Sequence, residues 1–314
     1  AGKEQPMLNT ADTVLHISHV THYDYASRVD LAMHLLHLQP LSRADQQLED
    51  FRLDIDPPAT RNQASLDYFG NPQHHLTLTT PHHALTVRAE SRVRRLAAAT
   101  PKPSASPAWE SVRAAMRYRA GQPWLPAAEF CFPSAFVPLH PAFQAYAQLE
   151  FTPGRPLLEA AIGLMARIHH EFTYATASTD LTTPALEAFS RRQGVCQDFA
   201  HIMIACLRSL GLPARYVSGY LLTQPPPGQP RLLGVDASHA WLAVWCPQHD
   251  WVELDPTNNL IAAQSHAVIA CGRDYADVAP LRGVIQGGGS HTLSVAVSVV
   301  PEGETPVEPS ASAC

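Results

Sequence analysis

Residues 199–210 constrain the fold of this chain more than any other stretch. Phe199, Ile202, Met203, Cys206, Leu207 and Leu210 form one continuous apolar stripe at helical period. Gly211 and Pro213 stop that helix, since glycine tolerates left-handed backbone and proline cannot extend the hydrogen-bond ladder. A helix of this kind must bury its stripe, so the neighbouring chain has to supply a sheet or further helices. Cys196 stands just before the stripe, in Gly194-Val195-Cys196-Gln197-Asp198-Phe199, at the start of the helix.

The flanks supply those partners. Leu157, Leu158, Ala161, Ile162, Met165 and Ile168 line one face of a predicted helix between Pro156 and Phe172. Thr183-Pro184 opens a short helix through Phe189, proline being suited to a first turn. Strands are predicted at 214–222, 240–245, 251–254 and 292–300. Residues 12–95 also read as strands, because 13–23 and 51–56 alternate polar and apolar residues and 76–79 and 84–89 follow suit. Pro57-Pro58 and Gly70-Asn71-Pro72 mark turns between them, a spacing that suits a β-sandwich or similar antiparallel module. Thr100 to Pro107 has the composition of a Pro/Ser linker. At 314 residues two domains are the default. The expected organisation is a β-rich domain over 1–96, a linker with short helical pieces over 97–152, an α+β core over 153–302 and a tail over 303–314.

Composition excludes several functions. A net charge of -6 with no long basic run argues against nucleic-acid binding. No stretch approaches the ~18 consecutive apolar residues of a membrane span, and the start lacks a signal-peptide core, so a cytoplasmic location is expected. The six cysteines, Cys131, Cys196, Cys206, Cys246, Cys271 and Cys314, scatter without a C-x-x-C pair. That disfavours a zinc ribbon or a disulfide framework and suits a reducing compartment. Among 17 histidines, His74-His75 and His82-His83 are the densest cluster. They lack metal-ligand spacing and are expected as solvent-exposed strand and turn residues. Neither a metal nor a cofactor is expected.

The chemistry concentrates at Cys196. A free thiol of pKa about 8.5 is only a few per cent thiolate at neutral pH. A helix N-terminus and a nearby imidazolium both raise that fraction. Cys206, mid-stripe, reads as core, whereas Cys196 lies where a polar capping residue normally sits. Gly194 is expected to let the backbone turn sharply into the helix. Downstream, His239 and Asp255 lie on two adjoining strand-like runs at an even separation. An odd-length or bulged connection around Pro247 puts both side chains on one face, with His239 opposite Asp255 and Trp241 opposite Glu253. Asp236 and Ser238 neighbour His239 too closely in an extended chain to face it. Asp198 is expected to cap the helix or hold a neighbouring loop, and Trp241, Trp245 and Trp251 to pack the core.

Four segments together resemble the bacterial transglutaminase-like superfamily, a branch of the papain-like cysteine fold. They are residues 194–201, Gly211 to Tyr220, Asp236-Ala237-Ser238-His239-Ala240-Trp241, and Leu254-Asp255-Pro256-Thr257-Asn258. The match spans roughly 160–290. His22-Tyr23-Asp24-Tyr25 and Asp67-Tyr68-Phe69-Gly70-Asn71 resemble the β-rich module that precedes this core in many bacterial members. Gly272-Arg273-Asp274-Tyr275 and Pro280-Leu281-Arg282-Gly283-Val284 fit the same group, so the resemblance is almost full-length. It implies a nucleophile-bearing helix packed on an antiparallel sheet. It implies Cys196 as nucleophile, His239 as general base and then acid, and Asp255 as the orienting carboxylate. The implied reaction is attack on the amide carbonyl of a peptide or protein, a thioester, and release by water or an amine. A peptidase or amidase is the first expectation, a glutamine–amine transferase the second and a non-catalytic binding module the third. No EF-hand-like loop is present, which argues against calcium dependence through that motif. Tyr174 is a candidate neighbour of the site, with a structural role at a strand end the first expectation.

Overall fold

The computed structural model describes residues 12–97, 99–175, 183–225, 231–234 and 236–307. The fold is α+β, with the helix that begins at Cys196 packed on an antiparallel sheet and a β-rich amino-terminal module. That module contains β1 (Thr13–Leu36), β2 (Gln46–Asp56), β3 (Arg61–Leu66), β4 (Pro72–Leu78) and β5 (His82–Arg95). β1 is its spine. The first half of β1 pairs with β5, the register slips between Asp24 and Val29, and the second half pairs with β4. A slip of this kind bends a strand, so one chain segment serves two sets of neighbours. Val29, Leu36, Leu76, Leu78, Leu85 and Val87 fill the core between them.

After the module come α1 (Trp109–Ala115), α2 (Pro141–Gln148), α3 (Leu157–Glu171), β6 (Thr173–Tyr174), α4 (Ala185–Arg191) and β7 (Gln193–Gly194). The stretch expected to act as a linker instead packs. Trp109, Val112, Val137, Phe143, Tyr146 and Phe151 belong to the main core, because its aromatic residues bury too much apolar surface to be left in water.

The apolar stripe forms α5 (Cys196–Ser209), followed by β8 (Ala214–Leu221), β9 (Ser238–Cys246), β10 (Asp250–Asp255), β11 (Leu260–Ile261) and β12 (His266–Gly272). These strands form one antiparallel sheet in the order β11-β10-β9-β8-β12. Residues 198–208 are all buried, as α5 lies between β8 and β9 on one side and α2, α3 and α4 on the other. Burial of Phe199, Ile202, Met203 and Leu207 contributes about 1.5–3 kcal/mol each. Gly211 adopts φ +78, as its place after the stripe predicts. Arg208, also buried, donates to the carbonyls of Ala214, Phe132 and Arg273 and to Ser134 Oγ, which ties the helix to three separate segments.

The chain closes with α6 (Tyr275–Val278), β13 (Leu281–Gly287) and β14 (His291–Pro301). Both last strands pair with β1, so residues 281–301, placed with the core in the sequence reading, complete the amino-terminal sheet. Without them β1 would carry a long unpaired edge. Leu15, Ile17, Val93, Val297 and Val299 of that sheet share one apolar cluster with Met203, Leu207 and Leu242 of the α5 region.

Two amide side chains complete the junction. Gln46 donates to Val268 O and accepts from Val268 N, both at 2.8 Å. Asn71 makes the same pair with Cys271 O and N, also at 2.8 Å. Both are fully buried and substitute for a missing strand along the free edge of β12. Asp67 holds Asn71 in place by accepting from its Nδ2 and from the backbone of Phe69 and Asn71. Gly70, at φ +82, makes that turn. The Asp67-to-Asn71 motif is therefore a clamp between the sheets. No helix among the described residues is long and apolar enough to cross a membrane.

Candidate active site

Cys196 is the first residue of α5 and is half-buried. Val195 before it is extended, and its N–H donates to Asp198 Oδ2 at 2.8 Å, so Asp198 caps the helix. Gly194 serves a different end from the sharp turn expected of it. A Cβ there would lie 2.6 Å from both Cβ and Oδ2 of Asp198, so the glycine makes room for the cap. The segment leading to Cys196 is pinned on both sides. β7 runs parallel to β6, with Thr173 N donating to Arg192 O and Ala175 N to Gly194 O. The Arg192 guanidinium lies 4.5–4.7 Å from the ring centroids of Tyr146, Phe172 and Phe189. Tyr174 is half-exposed beside Phe199, and burial and the neighbouring Cys196 charge raise its pKa.

His239 is the second residue of β9 and Asp255 the last of β10. Three residues, 247–249, connect the strands, the odd length that the parity reasoning required. The register differs by two residues from the expected one. Glu253 pairs with Ala243 and Trp251 with Trp245, so His239 and Asp255 are diagonal neighbours on one face instead of directly opposite. The side chains still meet, His239 Nε2 donating to Asp255 Oδ2 at 2.8 Å, and Cys196 lies near enough to the ring to raise its pKa as well. Nδ1 is the nitrogen left for the sulfur. Burial lowers the imidazole pKa, but the bonds and charges of Asp255 and Cys196 outweigh it and raise it to about 9.

Asp255 is fully buried and well supplied with donors. Its Oδ1 accepts from the backbone of Thr257 and Asn258, an Asx turn written into Asp255-Pro256-Thr257-Asn258. Its Oδ2 accepts from His239, from Asn258 Nδ2 at 2.7 Å and from His266 Nε2 at 3.1 Å. Burial raises the carboxyl pKa, yet these bonds and the charges of the imidazoles hold it well below the usual carboxylate range.

His266 and Asn258 were not singled out from sequence. Asn258 carried a local signal, since Asx turns favour such residues three positions on. His266 lies on β12, and only the folded sheet brings it to Asp255. His239, Asp255 and His266 are the one metal-capable group among the described residues. Their nitrogens lie at hydrogen-bond distances from a single oxygen that also accepts from Asn258, so hydrogen bonds already saturate the donor set.

Trp241 stacks on His239 at 5.8 Å between centroids and donates to Glu253, which pairs with Arg43 of the amino-terminal module. Gly219, opposite His239 on β8, leaves room for the Ala267 carbonyl and the Trp241 ring, for a Cβ there would run into Ala267 O and lie 2.6 Å from Trp241 Cη2. Asp236 turns away to accept from Thr223 Oγ1 and Val299 N. His82 is buried, contrary to expectation, because its ring packs on Tyr25 and Nδ1 bonds Thr80 O, while His74 bonds Asn62. Among the other thiols, burial pushes Cys131 up to about 12 and also raises Cys206, Cys246 and Cys271.

Known proteins resemble this chain in both of its parts. Residues 15–94 match the profile of the bacterial transglutaminase-like N-terminal region, and residues 146–256 that of the transglutaminase-like superfamily. An uncharacterized protein of Mycobacterium tuberculosis is 40% identical over 91% of this chain and 92% of its own length. A protein-glutamine gamma-glutamyltransferase of Pseudomonas aeruginosa is 36% identical over 103 residues, 30% of this chain and 15% of that protein. A candidate cysteine protease from Cytophaga hutchinsonii has the same fold, with TM-score 0.71 and 21% identity over 94% of this chain and 93% of that one. With both parts matched in order and a relative alike over nearly its whole length, the chain belongs to the transglutaminase-like superfamily.

Proposed function

We propose that this chain is a cysteine-dependent amide hydrolase, a peptidase or amidase, acting through Cys196, His239 and Asp255. One observation carries the reading: the imidazole that a buried carboxylate holds at 2.8 Å also interacts with Cys196 at the start of α5. In the proposed cycle the Cys196 proton resides on His239, and the sulfur attacks the amide carbonyl carbon. The C–N bond breaks as His239 gives its proton to the leaving amine, leaving a thioester on Cys196. Water then attacks the thioester, His239 takes its proton, and the acid leaves with the thiol restored. Asp255 keeps its charge throughout and holds the ring with Nδ1 toward sulfur. Backbone N–H groups at the start of α5 would serve as oxyanion donors.

The test is acyl-enzyme trapping from a peptide library, read by mass spectrometry on Cys196. Cys196→Ala is expected to abolish the adduct, and His239→Asn to slow its formation by about 10²-fold or more. Alkylation of Cys196 that follows a free thiol of pKa about 8.5, with no adduct from any peptide, would leave a binding module as the reading. A second reading, glutamine–amine transfer, is favoured by the similarity of 103 residues to the Pseudomonas transferase. Supplying a primary amine with a glutamine peptide separates them: hydrolysis releases acid, and transfer yields the amine adduct.

A further inference from the structure

We propose that His266 is a positioning residue for the His239–Asp255 pair: by occupying Asp255 Oδ2 it limits how tightly the carboxylate holds the imidazolium. This rests on the reading of Cys196, His239 and Asp255 given above. His266 is fully buried, its Nε2 lies 3.1 Å from Asp255 Oδ2, and its Nδ1 lies 3.0 Å from Ser265 Oγ. A carboxylate only accepts, so Nε2 must carry the proton, and Nδ1 then accepts from the Ser265 hydroxyl. The serine therefore selects the tautomer that points a donor at Asp255.

The sign of the effect follows from the remaining contacts. Oδ1 is held by two backbone N–H groups and Oδ2 by Asn258 Nδ2, so the carboxylate stays oriented without His266. His239, His266 and Asn258 compete for one oxygen with two lone pairs. Removing His266 concentrates charge on that oxygen and strengthens its hold on the His239 proton. The other groups facing His239 are Cys196 from α5 and Asp255 from β10, with Tyr174 of β6 near the sulfur. Glu253, behind Trp241, is paired with Arg43. A proton held too tightly cannot pass to a leaving amine, so sharing Asp255 keeps His239 usable as an acid as well as a base.

The experiment is an NMR titration of the His239 ring in the full chain, comparing wild type, His266→Met and His266→Gln. The midpoint is expected to rise by about half a pH unit or more in His266→Met, and to stay near wild type in His266→Gln, which keeps a donor at the Nε2 position. An unmoved or lowered midpoint in His266→Met overturns the proposal. Should that variant fail to fold, ¹⁵N spectra of the wild type decide: a neutral His266 ring without a proton on Nε2 overturns it as well, and a protonated Nε2 with a raised midpoint in Ser265→Ala supports it. Alkylation of Cys196 across the same pH range separates this outcome from the larger reading. A free-thiol profile in the wild type sinks the triad, whereas a low-pH thiolate plateau with coincident His239 titrations sinks only the role of His266.

Discussion

Acidification should loosen the junction between the two sheets through one residue, His19. This imidazole is 3% exposed, its Nδ1 bonds the Tyr220 hydroxyl at 2.7 Å, and its Nε2 lies 3.2 Å from Thr21 Oγ1. Tyr220 neighbours Gly219, the residue opposite His239. Burial lowers the His19 pKa from 6.5 to about 4. Between those values the unfolded chain binds a proton that the folded chain refuses, so stability falls as pH falls through that window. Above pH 6.5 the residue is neutral in both states and contributes no pH dependence. At ~1.4 kcal/mol per pH unit, the loss reaches roughly 1.4 kcal/mol at pH 5.5 and roughly 3 kcal/mol near pH 4. That is a large part of the 5–15 kcal/mol typical of a domain. His19→Asn keeps a hydrogen-bonding group near Nδ1 but cannot titrate. Urea unfolding of both proteins at pH 7.5, 6.5, 5.5 and 4.5 is the assay. The buried His201, with its pKa lowered to about 3, and His34 and His37, also lowered, titrate in both proteins and cancel in the difference. The wild-type advantage should shrink by about 1.4 kcal/mol from pH 7.5 to 5.5. Parallel stability curves would refute the reasoning.

Asp255→Asn should lower the His239 midpoint from about 9 by more than one pH unit in an NMR titration, since the carboxylate's bond and charge are the leading causes that raise it. A raised imidazole pKa stabilises the fold below pH 6.5 and loses that contribution as pH rises through about 9, so the alkaline loss of stability should diminish in the variant. Gly194→Ala should cost about 1–2 kcal/mol in thermal unfolding and slow alkylation of Cys196, because the new Cβ meets Asp198 at 2.6 Å and breaks the cap. Asn71→Ala leaves the Cys271 N–H and C=O unpaired and should cost about 2–5 kcal/mol, with faster hydrogen exchange along β12; unchanged exchange there would remove the clamp from the account.

Much of the site was legible because its parts carry local signatures. The stripe from Phe199 to Leu210 specifies α5 by period, and Gly211 ends it by tolerating positive φ. The even separation of His239 and Asp255 specifies a shared face, because side chains alternate at a period of two. Parity is insensitive to a two-residue shift, so the same reasoning could not distinguish direct opposition from the diagonal that occurs. Register was decided by the turn at 247–249. The strands 266–272 and 281–287 were not recognised. β12 reads as a short, wholly buried apolar run, which periodicity cannot distinguish from a buried helix segment, and β13 is largely exposed and glycine-flanked.

What the sequence determined by itself is therefore local: a cysteine at a helix start, a histidine and an aspartate on one face, and the Asx turn that holds the aspartate. Tertiary structure alone decided the long-range partners. β14 returns to β1 across more than 250 residues, Gln46 and Asn71 clamp an edge more than 190 residues away, and His266 reaches Asp255 from a different strand. Short-range patterns record backbone period and capping, which a few residues set. A buried hydrogen bond between distant segments leaves no period in the chain, and forms only where the packed core removes water from both partners at once.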